Sequence, residues 1–169
     1  MSRIDDLVDA LRRDATCTLA QPVRGTEHAF SGLPDDLRRF YNICGGAVLF
    51  VGAPFVWEIV GPQALAPTNP EVVGEQVDDD LTSSWFIVGR QRGDSSALIS
   101  IDLAANRLGW CYDSDVEIHG LVGSCPILAF SFTELLEELI DARGRFIFWE
   151  GEKFVYKGDA YDPIDNSTQ

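Results

Sequence analysis

Basic residues are scarce in this chain, and that scarcity is the first constraint on its function. Thirteen lysines and arginines stand against 27 aspartates and glutamates, which gives a formal net charge of −14. A protein that binds the phosphate backbone needs a basic face, so this balance argues against a nucleic-acid partner. The acidity favours basic partners, or it serves only solubility.

Long hydrophobic runs are also missing. No stretch approaches the roughly 18 apolar residues that a membrane span requires. Asp5 and Asp6 stand where a signal peptide would need a basic start and an apolar run. We therefore expect a cytoplasmic protein with no membrane partner. A length of 169 residues, of which 46% are hydrophobic, predicts a single domain over residues 1–169.

Residues that could carry chemistry are few. The two histidines, His28 and His119, have neither the spacing of a metalloprotease helix nor the neighbours of a catalytic triad, so both are expected to be structural or exposed. The four cysteines form no C-x-x-C pair, and three lie in apolar patterns typical of buried thiols. We expect no catalytic residue, no metal site and no cofactor, and hence no enzyme.

The clearest element present is a helix that begins at Pro34 and ends at Gly45-Gly46. Proline suits the first helical position, and apolar residues follow at the spacing of one buried face. Gly45 is predicted to end the helix in the left-handed conformation, and Gly46 to let the chain reverse into a strand at 47–51. A helix over 3–14 precedes it, and Ser2 followed by Asp5 predicts a capping box at the start of that helix. A connector over 17–32, which could include a short strand, lies between the two helices.

The remaining pattern predicts an α+β fold. Short alternating segments at 55–59, 85–88, 97–103 and 108–113 are joined by tight turns, which favours a mostly antiparallel central sheet of about six strands flanked by helices. Residues 61–84 read as a long irregular loop. A helix capped by Ser131 ends at Arg143-Gly144. An added hairpin over 145–157, which could cover a sheet edge or form an interface, and a loose acidic tail over 158–169 complete the prediction.

Four of these motifs, taken in order, resemble the SUKH superfamily of bacterial immunity proteins, which also includes a yeast regulator of cell-wall synthesis. They are the Pro34 helix ending in Gly-Gly, the Arg92-Gly93-Asp94 turn before a strand, the partner strand 108–113 and the Ser131-Phe132 helix start. Leu135 stands where many relatives carry Phe, and the hairpin departs from the family pattern. The resemblance covers a core of about residues 28–140 and implies a domain that binds and inhibits a cognate toxin without turnover.

Two acidic segments and two tryptophans are the candidate contact residues. Asp78, Asp79 and Asp80 lie on the predicted long loop, where they would attract a cationic partner such as a nuclease. Asp113, Asp115 and Glu117 would share one face of a strand, but Ile118 stands where a calcium loop needs glycine. Exposed aromatic residues often anchor interfaces, and Trp110 and Trp149 are the candidates here, whereas Trp57 and Trp85 are expected in the core.

The function predicted is that of an immunity protein that neutralises a toxin by protein–protein contact. Two alternatives remain open at this point. One is a regulatory scaffold like the yeast relative, and the other is a small-ligand-binding or enzymatic domain built on the same fold.

Overall fold

Seven short strands form the centre of the fold, and each pairs antiparallel with its neighbour in chain order. The computed structural model describes residues 1–25 and 30–165, so His28 and the end of the predicted tail lie outside the described residues. Within those ranges the strands are β1 (Thr18–Leu19), β2 (Ala47–Leu49), β3 (Trp57–Ile59), β4 (Trp85–Gln91), β5 (Leu98–Asp102), β6 (Cys111–Asp113) and β7 (Ile127–Ala129). The α+β class and the antiparallel sheet are confirmed.

The same ranges contain four α-helices: α1 (Arg3–Arg13), α2 (Asp35–Ile43), α3 (Thr68–Val72) and α4 (Phe132–Ala142). The predicted capping residues are present at the N-termini of the two longest of these helices, α1 and α4. Ser2 and Asp5 form a capping box at α1, and the Ser131 hydroxyl accepts a hydrogen bond from the Glu134 N–H at α4. Arg143 ends α4 in the left-handed conformation, with φ of 52°.

The sheet has two covered faces. Alternation along β5 and β6 sends Ile99, Ile101 and Cys111 into the main core, which also contains the apolar faces of α1, α2 and α4. Leu98 and Tyr112 point the other way, into two smaller clusters. The predicted loop 61–84 contributes to this second face because it contains α3 and short 3₁₀ turns. In the part of the chain that is described, no helix has the length and apolarity to span a membrane.

The Gly45-Gly46 pair does not end the helix in the way predicted. Cys44 leaves α2 in an extended conformation, and Gly45 does not adopt a positive φ. Instead, the Gly45 N–H donates to the Ala20 carbonyl at 2.9 Å. A Cβ atom on Gly45 would lie 2.2 Å from the Gln21 carbonyl oxygen, so glycine is required there by backbone packing. Gly46 does reverse the chain with a φ of 117°.

The hairpin predicted over 145–157 is also wrong. That segment holds one 3₁₀ turn, Phe148–Glu150, and no strand. Phe148 and Trp149 are adjacent, yet both pack inward with their ring centroids 4.9 Å apart, which the alternation of a strand does not permit.

A sheet edge is nevertheless covered near the C-terminus, by the three residues 158–160, which we name the C-terminal strap. Ile127 N–H donates to the Gly158 carbonyl at 2.9 Å, and Ala160 N–H donates to the Cys125 carbonyl at 2.8 Å. The strap therefore runs along β7, the edge strand of the sheet. Part of the predicted loose tail is in this way bonded to the fold.

Candidate functional site

Two acidic segments that are distant in sequence lie side by side in the structure. They are residues 77–80 and residues 113–122, and together we name them the acidic face. The Tyr161 hydroxyl donates to Asp80 Oδ2 at 2.8 Å and lies 3.3 Å from the Gly120 carbonyl oxygen, so it connects the two segments directly. The structure therefore joins Asp80 to the turn at Gly120, while within the described residues no hydrogen bond or ion pair connects the loop carboxylates to Asp113, Asp115 or Glu117.

The loop carboxylates divide into structural and free ones. Asp78 and Asp79 are exposed. Asp80 Oδ2 accepts hydrogen bonds from the backbone N–H and the hydroxyl of Thr82, at 3.0 and 2.6 Å, and so caps the next 3₁₀ turn. Burial of Asp80 alone would raise its pKa, but the hydrogen bonds from Thr82 and Tyr161 outweigh it and lower the pKa. Asp80 thus fixes the end of the loop to Thr82 and Tyr161, while Asp78 and Asp79 face solvent.

Residues 113–117 do not form the strand face that we predicted. β6 ends at Asp113, whose Oδ1 accepts the Asp115 N–H at 3.0 Å, and Asp115 Oδ1 in turn accepts the Glu117 N–H at 2.9 Å. An aspartate side chain readily captures the N–H two residues ahead, and two such turns in succession bend the chain out of the sheet. Glu117 is left exposed at the end of the turns.

Asp113 and Trp149, both predicted as contact residues, bind each other. Trp149 Nε1 donates to Asp113 Oδ2 at 2.9 Å, and the indole ring lies 5.5 Å from the ring of Trp57. Burial raises the pKa of Asp113, and the charges of Asp115 and Glu150 raise it further, whereas the hydrogen bonds from the Asp115 N–H and the Trp149 indole oppose this rise. The pair is half-buried and joins the segment after α4 to the end of β6.

The other predicted tryptophans lie in two environments. Trp57 and Trp85 are buried in the core, as predicted. Trp110 is half-buried and packs edge-on against Phe130, with the ring centroids 5.0 Å apart.

Sequence reasoning missed the apolar part of the acidic face. Four aliphatic side chains there are exposed, from 37% for Val77 to 75% for Val122: Val77, Val116, Leu121 and Val122. Leu121-Val122 stands between Gly120 and Gly123, a short apolar pair with no room for a strand, and this was the available signal. Contiguous exposed apolar side chains are typical of protein-contact surfaces, and Leu121 and Val122 are adjacent in the chain.

A series of buried side-chain hydrogen bonds anchors the second segment of the acidic face to the fold. His119 Nε2 lies 2.7 Å from Asn69 Oδ1, and its Nδ1 lies 3.1 Å from Ser114 Oγ. Ser114 Oγ continues to Ser100 Oγ at 2.6 Å, which continues to Thr68 Oγ1 at 2.8 Å. Burial lowers the pKa of His119. His119 therefore fastens the turn after β6 to α3, in the structural role that we predicted.

The cysteine thiols and the potential metal ligands form no chemical site within the described residues. Cys44, Cys111 and Cys125 are buried free thiols, and burial raises the pKa of Cys44 and of Cys125 to about 11. Among residues 1–25 and 30–165, no three His, Cys, Asp or Glu side chains converge on a point where a metal ion could sit.

Fold and surface together define an α+β domain with an exposed acidic and partly apolar face. No family model matches the chain, and no solved structure matches it. A Bacillus subtilis (strain 168) protein named immunity protein YokJ is 37% identical over 166 residues, which cover 96% of this chain and 98% of that protein. The chain therefore belongs to the same family as immunity protein YokJ, a relationship that supports an immunity role.

Proposed function

We propose that this protein is an immunity protein that binds and neutralises a cognate toxin by direct contact. The observation that carries the proposal is the nearly full-length relationship to immunity protein YokJ. The motif order that resembles the SUKH superfamily points the same way, and we assign the chain to that superfamily and to the cytoplasm as part of this proposal.

The acidic face is the contact surface that we propose. Its exposed carboxylates, Asp78, Asp79 and Glu117, would attract a cationic toxin over long range and fix its orientation. Leu121 and Val122 would lose their exposed apolar area on contact, which supplies affinity. Neutralisation would be steric and electrostatic, without turnover. A nuclease with a basic substrate groove is a toxin of suitable charge.

Two of the predicted contact residues take a different part in this proposal. Asp80 and Asp113 are engaged within the fold, by Thr82 and Tyr161 in one case and by Trp149 in the other. They would shape the surface and leave the contacts to their neighbours. Asp115, Trp110 and Trp149 are half-buried, so each offers only part of its side chain to a partner.

The test is to coexpress the protein with the toxin candidate encoded by the adjacent gene and to measure growth and complex formation at low and high salt. We expect rescue of growth and a complex that weakens at high salt. A loop variant, Asp78→Asn with Asp79→Asn, should lower the association rate. A control variant, Asp6→Asn with Asp35→Asn, removes the same charge from exposed positions outside the face and should leave that rate nearly unchanged.

Failure of the wild-type protein to rescue growth or to bind would contradict the proposal. Capture of a host signalling protein with no toxin would instead support the regulatory scaffold. Retention of a small molecule through purification would support the ligand-binding alternative.

A further inference from the structure

A second surface feature lies beside the end of α4 and the segment that follows it. A groove of about 620 Å³ runs between the end of α4 and residues 145–154, and we name it the α4 groove. Three phenylalanines, Phe146, Phe148 and Phe154, provide its apolar surface, while Glu138 and Asp141 stand along its α4 side.

The apolar surface of the α4 groove is incompletely covered by the protein itself. Phe148 is buried and meets Phe154 edge-on at 5.8 Å between ring centroids. Phe146, in contrast, is 47% exposed although it lines the groove. An aromatic ring that remains wet inside a concave site is a favourable place for the apolar part of a ligand.

The α4 side of the groove carries two carboxylates that form no direct ion pair within the described residues. Glu134 and Glu137 have partners in Lys157 and Arg3, at 3.3 and 2.5 Å. Glu138 and Asp141 have no hydrogen bond or ion pair within the described residues. Glu138 is half-buried, and its burial together with the neighbouring carboxylates raises its pKa, against the opposing charge of Lys157.

Asp141 occupies an electrostatically unfavourable position in α4. It lies in the last turn of α4, where the helix dipole disfavours a negative charge, and that turn contains no basic residue. Arg145 and Lys153 also line the groove, as does a third carboxylate, Glu152. The Arg145 Nε atom is 3.5 Å from the Ala142 carbonyl oxygen, so this guanidinium faces the helix end. Neither basic residue pairs with a described carboxylate.

We propose that the α4 groove binds an arginine or lysine side chain of the partner protein. The aliphatic stem of such a side chain would cover Phe146, and its cation would lie between Glu138 and Asp141. Both unfavourable features, a wet ring and unpaired carboxylates, would be relieved by one residue type. Trp149 follows the groove residue Phe148 in the chain, and it donates a hydrogen bond to Asp113 of the acidic face. The inference rests on the proposed function only for the identity of the partner.

A first experiment needs no toxin. The ¹⁵N-labelled full chain is titrated with acetyl-Leu-Arg-Leu-amide and, as a matched probe, acetyl-Leu-Gln-Leu-amide. We expect the arginine peptide to shift the amide signals of Phe146 and Gly151 saturably, with at least tenfold weaker binding for the glutamine peptide. A groove variant, Glu138→Gln with Asp141→Asn, should weaken the arginine peptide to the same extent, while the loop variant of equal charge should not. Equal shifts with both peptides, or equal weakening in both variants, would overturn the inference.

A second experiment uses the captured toxin and separates this inference from the proposed function. We expect the groove variant to raise the Kd for the toxin at least tenfold, with a dispersed NMR spectrum showing that it is folded. Unchanged toxin binding in the groove variant, with weakened binding in the loop variant, would overturn the groove and keep the proposed function. Absence of toxin binding by the wild-type protein would overturn the proposed function, and the peptide titration would still decide whether the groove takes a cation.

Discussion

Asp102, at the end of β5, is a buried carboxylate with every oxygen in use. Its Oδ1 accepts the Ser84 hydroxyl at 2.6 Å and the Ala104 N–H at 2.9 Å. Its Oδ2 accepts the Arg107 Nε–H at 2.8 Å and the Tyr112 hydroxyl at 3.0 Å. The four donors come from the residue before β4, from the turn after β5 and from β6, so one side chain fixes the relative positions of these segments. Replacing it should therefore destabilise the whole face.

The magnitude follows from what Asp102→Ala leaves behind. Arg107 is only 12% exposed in its side chain, so the substitution strands a nearly buried guanidinium as well as two hydroxyls. Removing one partner of a buried ion pair costs about 3–5 kcal/mol of the free energy of unfolding. For a chain of this size each kcal/mol lowers the Tm by about 2–4 °C, which gives an expected drop of about 6–20 °C.

Urea denaturation followed by tryptophan fluorescence measures this loss. Trp85 stacks on Tyr112 with ring centroids 4.1 Å apart, so its emission reports on the face that Asp102 organises. The double variant Asp102→Ala with Arg107→Ala should lose less than the sum of the two single losses, because each single variant leaves an unpaired charge. A loss below about 1 kcal/mol for Asp102→Ala, or strict additivity in the double variant, would refute the reasoning.

Three further predictions concern single contacts. Burial lowers the pKa of His119, so the unfolded chain binds a proton at this residue more readily than the folded protein does. The free energy of unfolding should therefore fall as the pH drops below about 6.5, by at most about 1.4 kcal/mol per pH unit, and chemical denaturation between pH 5 and 7 measures this fall. Gly45→Ala should cost about 1–3 kcal/mol in thermal denaturation, because the new methyl group meets the Gln21 carbonyl. Tyr161→Phe should cost about 1–2 kcal/mol by loss of the bond to Asp80, with faster amide hydrogen exchange in residues 120–125.

Each has a contrary outcome. A pH slope that is the same in the wild-type protein and in His119→Gln would show that this histidine does not titrate on unfolding. Gly45→Ala at wild-type stability would mean that the crossing of the two chain segments is looser than its geometry indicates. Unchanged hydrogen exchange in Tyr161→Phe would show that the hydroxyl does not hold the two acidic segments together.

The helices were the most predictable part of the fold because their signals are local. Ser2 and Ser131 cap their helices as expected, and the apolar stripe of α4 is buried in the core. The predictions at Gly45 and over 145–157 failed for a shared reason. Gly45 must be glycine because the Gln21 carbonyl lies against it, and Phe148 packs inward because it contacts the main core. Both contacts are made with residues distant in sequence, so the local residue pattern does not indicate them. Strand β7, three residues long after Pro126, was too short to show alternation.

The candidate surface shows the same division. The acidity of residues 78–80 and 113–117 is plain in the sequence, and the structure joins Asp80 through Tyr161 to the turn at Gly120, a few residues beyond the second segment. Which carboxylates are free is not plain, because Asp80 is engaged by Tyr161 and Asp113 by Trp149, both contributed from the C-terminal part of the chain. Contacts between residues 36 and 81 positions apart leave no local pattern.

The strand order also determines how the protein can assemble. Because β1 to β7 pair in chain order, each strand after the first finds its partner already synthesised when it leaves the ribosome, and pairing can proceed from β1 to β7. The C-terminal strap is the step that closes this process, since β7 keeps an open edge until residues 158–160 arrive. A nascent or truncated chain that lacks them presents a strand edge ready to pair with another copy, so the strap is a safeguard against aggregation during synthesis.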